Sequence, residues 1–236
     1  MIHRRHLMTL AATLGCAPAV WAQPSFPHKP LKIVVPNAAG GAADITARTV
    51  GQKLSEALGQ PVVIDNKPSA GGIVAADLVA KAEPDGHTML LISSGTAVSA
   101  SLFKSLPFDT VKDFSPVSKL ASFDLVLCVA EGGRFKTLGD VLSYARANPG
   151  KLNLGSPQVV EILGPVMGQI KSGALRPVAV LSDKRGAALP DVPAVREAGG
   201  NLANFNVSSW NGLSVPAKTP QPIVARLNKE LQTILN

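Results

Sequence analysis

Leu31-Lys32-Ile33-Val34-Val35-Pro36, followed without a break by Asn37-Ala38-Ala39-Gly40-Gly41-Ala42-Ala43-Asp44, reads as a buried strand that turns through paired glycines into a helix. Gly40 and Gly41 carry no Cβ, so backbone can come close to a ligand there. The helix that follows offers unpaired N–H groups and the positive end of its dipole. A carboxylate or phosphate fits such a turn; a tight βα connection that binds nothing is the plainer alternative. Ala43, Ala47, Val50, Leu54, Ala57 and Leu58 recur at three- and four-residue steps and give the helix one apolar face, and Gly59 closes it. Neither G-x-G-x-x-G nor G-x-x-x-x-G-K-[ST] occurs, so the turn has no dinucleotide or nucleoside triphosphate signature.

Working outward, strands and helices alternate, which predicts an α/β architecture with mostly parallel sheets. Pro61 to Asp65 is a strand, Asn66 to Gly72 a turn, and the next helix uses Ala75, Leu78, Val79 and Ala82. Thr88 to Ile92 is the third strand. It leads into Ser93-Ser94-Gly95-Thr96, a small hydroxyl-rich loop at a strand's carboxyl end, where open α/β sheets bind ligands. Further on, a strand is expected at Leu125 to Ala130 and a helix from Leu138 to Asn148, with Thr137 and Asp140 as a capping pair and Gly150 as the stop. Lys151 to Ser156 is read as strand and loop, and Val159 to Leu163 as a short strand broken by Gly164-Pro165. A helix is then expected from Val166 to Ser172, and a strand from Arg176 to Ser182. Leu189-Pro190-Asp191-Val192-Pro193 reads as an ordered surface turn, and Thr219-Pro220 opens a last helix carrying Val224, Leu227, Leu231 and Leu235. The expected division is residues 23–122 with 208–236 in one lobe and 123–207 in a second, joined near Ala121 to Asp124 and Ser208 to Gly212 around one cleft.

The amino terminus has the three parts of a secretory signal peptide: Arg4 and Arg5, a mostly apolar stretch from Leu7 to Val20, and a cleavage-like Val20-Trp21-Ala22. Residues 1–22 are expected to be removed near Ala22 in the periplasm, and the arginine pair fits both the general and the twin-arginine route. Thr13 before Cys16 is a poor lipid-attachment match. That leaves Cys128, in the apolar run Leu125 to Val129, as a buried thiol with no disulfide partner. The formal charge of +7 falls when Arg4 and Arg5 leave, keeping a mild bias towards anionic partners. Basic residues are scattered singly and aromatics make up 4% of the chain, which excludes a nucleic-acid-binding surface. His28 and His87 have no metal-ligand spacing, and no cofactor is implied.

Several short motifs, in one order along the chain, carry a resemblance. They are the Pro36-to-Asp44 turn, Gly59-Gln60-Pro61-Val62-Val63, Ala70-Gly71-Gly72, Pro84-Asp85-Gly86-His87-Thr88, Asp113-Phe114-Ser115-Pro116-Val117, Asn148 to Asn153, Leu189 to Pro193 and Trp210-Asn211-Gly212-Leu213. Together they resemble the Bug (TctC-like) receptors of tripartite tricarboxylate transporters. The resemblance implies a two-lobed, type II-like periplasmic binding protein, monomeric and without catalysis. Such a protein closes on a small carboxylated solute and delivers it to membrane permease subunits. It implies that backbone amides and hydroxyls hold the carboxylates, which maps to Ala38, Ala39, Gly40, Gly41, Ser93, Ser94, Gly95, Thr96 and Ser156. Asp44 matches the family's acidic position, either as a ligand contact or as an acidic residue favoured by the helix dipole.

The chain also departs from the family pattern. Between Ser156-Pro157-Gln158 and Val159 a further helix, strand and helix are missing, so the second lobe is expected to be reduced, and relatives continue past Asn236. Two other readings follow: a degenerate relative with impaired binding, or an exported serine hydrolase using Ser93 or Ser94. The hydrolase lacks G-x-S-x-G and a convincingly placed histidine.

Overall fold

The computed structural model describes residues 25–153 and 160–236; the expected signal peptide, Cys16 and Ser156 lie outside the described residues. The strands are β1 (Leu31–Val35), β2 (Val62–Asn66), β3 (Thr88–Ser93), β4 (Phe114–Ala130), β5 (Val160–Ile162), β6 (Leu175–Val180) and β7 (Ser208–Pro216). The helices are α1 (Ala42–Leu58), α2 (Ile73–Ala80), α3 (Ser94–Leu102), α4 (Leu138–Ala147), α5 (Leu163–Lys171) and α6 (Gln221–Leu235). The strand order is β2-β1-β3-β7-β4-β5, with β6 also paired to β4.

β1 lies parallel between β2 and β3, with Ile33 opposite both Ile64 and Met89. Successive side chains of a strand point to opposite faces. Leu31, Ile33 and Val35 therefore join Met89 and Leu91 on one face, against Ala47, Val50 and Leu54 of α1 and Leu227 and Leu231 of α6. Val34 and Leu90 point the other way, onto Ala75, Ala76 and Val79 of α2 and onto Phe108 and Phe114. Helices thus cover both faces of the three parallel strands: α1, between β1 and β2, lies on one face and α2, between β2 and β3, on the other, so the chain changes face through β2 while the strand order reverses about β1. That reversal is where an open sheet of this kind leaves a crevice at the strands' carboxyl ends.

The sheet is less parallel than expected. Among the described pairings between strands only β1–β2 and β1–β3 are parallel, apart from the isolated parallel bridge Val180–Ala194, whereas β7 is antiparallel to β3 and β4, and β4 is antiparallel to β5 and β6. A parallel pair needs a long crossover. β7 instead returns from the far region of the molecule and inserts between β3 and β4 in the opposite sense. The strand expected from Leu125 begins at Phe114. Its first part was hidden by Pro116, which sits where the pairing register with β7 shifts between Pro116 and Ser118, the kind of irregularity that tolerates a proline. Phe114 to Asp124 pairs with β7, and from Leu125 onward β4 pairs with β5 and β6. Around that second stretch lie two further apolar clusters, one with Val126, Cys128, Leu163 and Val166, the other with Leu127, Leu138, Val178 and Val195.

Two element boundaries also move. The expected Ser93-to-Thr96 loop is the entry into α3, with Ser93 both ending the strand and serving as the helix N-cap. α5 starts at Leu163, with Gly164 and Pro165 inside its first turn, where a proline's missing N–H would have had no partner anyway. Elsewhere the local signals hold. Asp140 N–H donates to Thr137 Oγ1 while Asp140 accepts from Thr137 N–H, and Gly59 caps α1 in the left-handed region at φ 67°. The proline-rich turn is closed by Leu189 N–H to Gly186 and Val192 N–H to Leu189. Ala57, read as part of the apolar face of α1, is exposed.

Candidate functional site

The carboxyl ends of β1, β2 and β3 bring three connections side by side: residues 36–41, 67–72 and 93–96. Between them lies a cavity of about 140 Å³, lined by Pro36 and Asn37, by Ser69, Gly71 and Gly72, and by Ser93, Gly95 and Thr96. The middle connection is a 3₁₀ turn, Ala70–Gly72, in which Gly71 and Gly72 hold φ of 63° and 72°. A Cβ on Gly71 would stand 2.7 Å from Phe103 Cε2, and one on Gly72 would stand 2.8 Å from Pro36 Cβ. The backbone conformation and the space both demand glycine there. Ser69 Oγ accepts from Val74 N–H, and Gly72 N–H donates to Ser69 O, which fixes the turn against α2.

The third connection supplies the polar groups. No side chain caps α3 at Ser93, so the N–H groups of its first turn, Ser94 to Thr96, have no protein acceptor among the described residues. Thr96 is 6% exposed, yet its Oγ1 has no partner among the described residues. A buried hydroxyl beside unpaired amides at the positive end of a helix is a setting in which an oxyanion satisfies several donors at once. The amides of Ala38 and Ala39, in the exposed first turn, are likewise without an acceptor among the described residues.

Gly40 behaves differently. Its N–H donates to Asp44 Oδ2 at 2.9 Å, and the same oxygen accepts from Arg48 Nε at 2.9 Å. Asn66 donates through Nδ2 to Asp44 Oδ1 and to Asn37 O, while Arg48 reaches Asn66 Oδ1. The Arg48 guanidinium first, and the Gly40 amide second, hold the buried Asp44 carboxyl down to about 2 against the cost of burial. Asp44 is thus an anchor for the first turn, and the Gly40 amide is not open to an anion while that carboxylate is charged.

Of the residues singled out from the sequence, Ser93, Gly95 and Thr96 line the cavity. Ala38, Ala39, Gly40 and Gly41 form the exposed turn beside it, and Asp44 lies beneath that turn. Ser94 Oγ is 3.3 Å from Ser209 Oγ, tying α3 to β7. Sequence reasoning missed Asn37, Ser69, Gly71 and Gly72 as lining residues. The available signal was a second paired-glycine turn, Ser69-Ala70-Gly71-Gly72, after the second strand. Buried His87 accepts from His28 N–H, and its carbonyl takes Lys32 N–H at the start of β1. That places it at the opposite end of β3 from Ser93, too far for a nucleophile–base pair with Ser93 or Ser94. Arg185 is occupied by Glu197 and the Pro190 carbonyl, whereas Lys184 is exposed.

A protein-family model described as the tripartite tricarboxylate transporter family receptor matches residues 46–164 and 158–236. Protein BugT of Bordetella pertussis is 32% identical in an alignment covering 95% of this chain and 81% of that protein. The solved structure of MatC from Rhodopseudomonas palustris with bound malate has a TM-score of 0.78 and 30% identity, covering 89% of this chain and 86% of that one. A second R. palustris protein, solved with adipate, has a TM-score of 0.79 and 27% identity, covering 87% of this chain and 83% of its own.

Proposed function

The chain belongs to the tripartite tricarboxylate transporter receptor family, and from that premise we propose that it captures a small carboxylated solute in the periplasm and passes it to the membrane permease subunits of such a transporter. The family is one of solute-binding receptors, not enzymes. The observation that carries the reading is the set of unpartnered first-turn amides of α3, with the buried Thr96 hydroxyl, facing a cavity at the carboxyl ends of three parallel strands. Malate and adipate in the two solved neighbours are carboxylates, which supports the same ligand class here. Among the described residues no helix is long and apolar enough to cross a membrane.

Ser93, Gly95, Thr96, Ala38 and Ala39 are the carboxylate-holding groups of this reading, and the family resemblance adds Ser156 to them. The division into residues 23–122 with 208–236 and residues 123–207 is supported by the change of β4's partners at Asp124–Leu125. A reduced second lobe is supported by the family match, which comes in two pieces overlapping at residues 158–164, beside the point where the resemblance implies a further helix, strand and helix.

Thermal unfolding against a panel including malate, adipate and citrate tests the proposal. Ligand at about a hundred times its Kd adds about 2.7 kcal/mol, a rise in Tm of about 5–10 °C. A flat response to every acid at millimolar concentration overturns it. A flat response with dye binding and lost near-ultraviolet dichroism identifies a degenerate relative instead.

A further inference from the structure

A second cavity, of about 260 Å³, backs onto the first: Ser93 and Thr96 line both. Its walls are otherwise almost wholly apolar, with Ile92 from β3, Phe114 and Pro116 from β4 and Trp210 from β7. Trp210 and Ser214 sit two steps either side of Gly212 on one face of β7, and at the glycine the Ser118 carbonyl and the Ile92 side chain come close to the strand. Two hydroxyls in this wall are buried and have no partner among the described residues. Thr96 Oγ1 stands at the border with the oxyanion cavity, and Ser214 Oγ, on a residue with 0% exposure, lies on the β7 side. Native proteins rarely bury a hydroxyl without a partner, and two of them in one apolar cavity leave the donors and acceptors of a bound molecule to satisfy them. The space exceeds the roughly 150 Å³ at which an apolar protein cavity takes up benzene.

We propose that the solute is an aromatic monocarboxylate with a hydroxyl on the far side of its ring: the carboxylate lies at the α3 amides, the ring occupies the apolar cavity, and the hydroxyl pairs with Ser214. This rests on the carboxylate-receptor reading and narrows it from small polar acids to ring-bearing ones. Thr96, at the border, pairs with the carboxylate side, and Trp210 packs on the ring with the offset or edge geometry that aromatic pairs favour.

Calorimetric titration of the full chain with 4-hydroxybenzoate, benzoate and malate is the test. The expected result is 4-hydroxybenzoate at least about tenfold tighter than malate, since only the ring gains from apolar burial. Ala97→Leu, at an exposed position on α3 lining the same cavity, narrows it. It should weaken 4-hydroxybenzoate at least about tenfold while malate stays within about twofold. Ser214→Ala should abolish the preference for 4-hydroxybenzoate over benzoate, and it keeps the test open if the leucine variant misfolds. Malate equal to or tighter than 4-hydroxybenzoate, or 4-hydroxybenzoate binding untouched by both substitutions, overturns the proposal and leaves the carboxylate reading standing. No binding of any of the three overturns the proposal, and a flat carboxylate panel as well overturns the reading beneath it.

Discussion

Asp44 shows how one side chain can set the conformation of a turn. Its carboxylate gathers the Gly40 amide, Arg48 and Asn66, and Asn66 in turn holds the Asn37 carbonyl. Removing it leaves those donors unpaired beneath the turn. Asp44→Ala is expected to cost about 2 kcal/mol, read as a fall in Tm of about 4–8 °C, and to weaken carboxylate binding through loss of loop order. The pH dependence has a definite sign. The folded pKa, about 2, lies below the ordinary aspartate value, so the contribution is complete above pH of about 4 and disappears as pH falls towards 2. Denaturant unfolding of the native chain and of Asp44→Asn should differ by a constant amount between about pH 5 and 7, and the two should converge as pH falls from about 4 to 2. At the neighbouring turn, Gly72→Ala sets a Cβ 2.8 Å from Pro36 in a left-handed conformation. It is expected to destabilise by more than 1 kcal/mol and to raise the Kd of any ligand, measured by calorimetry.

Among the elements, α3 and α6 illustrate opposite demands. α6 is secured by Val224, Leu227 and Leu231 on one side of a fifteen-residue helix, all buried against the parallel strands. Leu227→Ala opens a cavity in that layer and is expected to cost about 3 kcal/mol in chemical denaturation. α3 begins with no side-chain cap, and its only buried residues are Thr96 and Ser99. An uncapped helix start is locally unfavourable, and its open amides are the feature the binding reading uses. α4 is the contrast within the same chain: its Thr137–Asp140 box satisfies both backbone donors, and Thr137→Ala is expected to cost about 1 kcal/mol, measured the same way.

At the scale of the molecule, β4 and β7 tie the two packed regions together. β4 changes partners midway, and β7 runs beside it from Ser208 to Pro216, with Trp210 opposite Ser122. Unfolding followed by Trp210 emission and by far-ultraviolet dichroism should therefore trace one transition; separate midpoints would show that the regions melt independently. The sequence alone determined the strand–turn–helix at residues 31–58, the capping box at Thr137, the amphipathic last helix and the buried setting of Cys128. Each of these rests on contacts between residues close in the chain or on a simple periodicity of apolar residues. Only the tertiary structure decided the antiparallel insertion of β7, the length of β4 through Pro116, the clamp from Asn66 to Asp44 and the meeting of Ser69–Gly72 with Ser93–Thr96. Those depend on which strands pair across long stretches of chain. Register and neighbour choice come from packing the whole sheet at once, and no local run of residues encodes them.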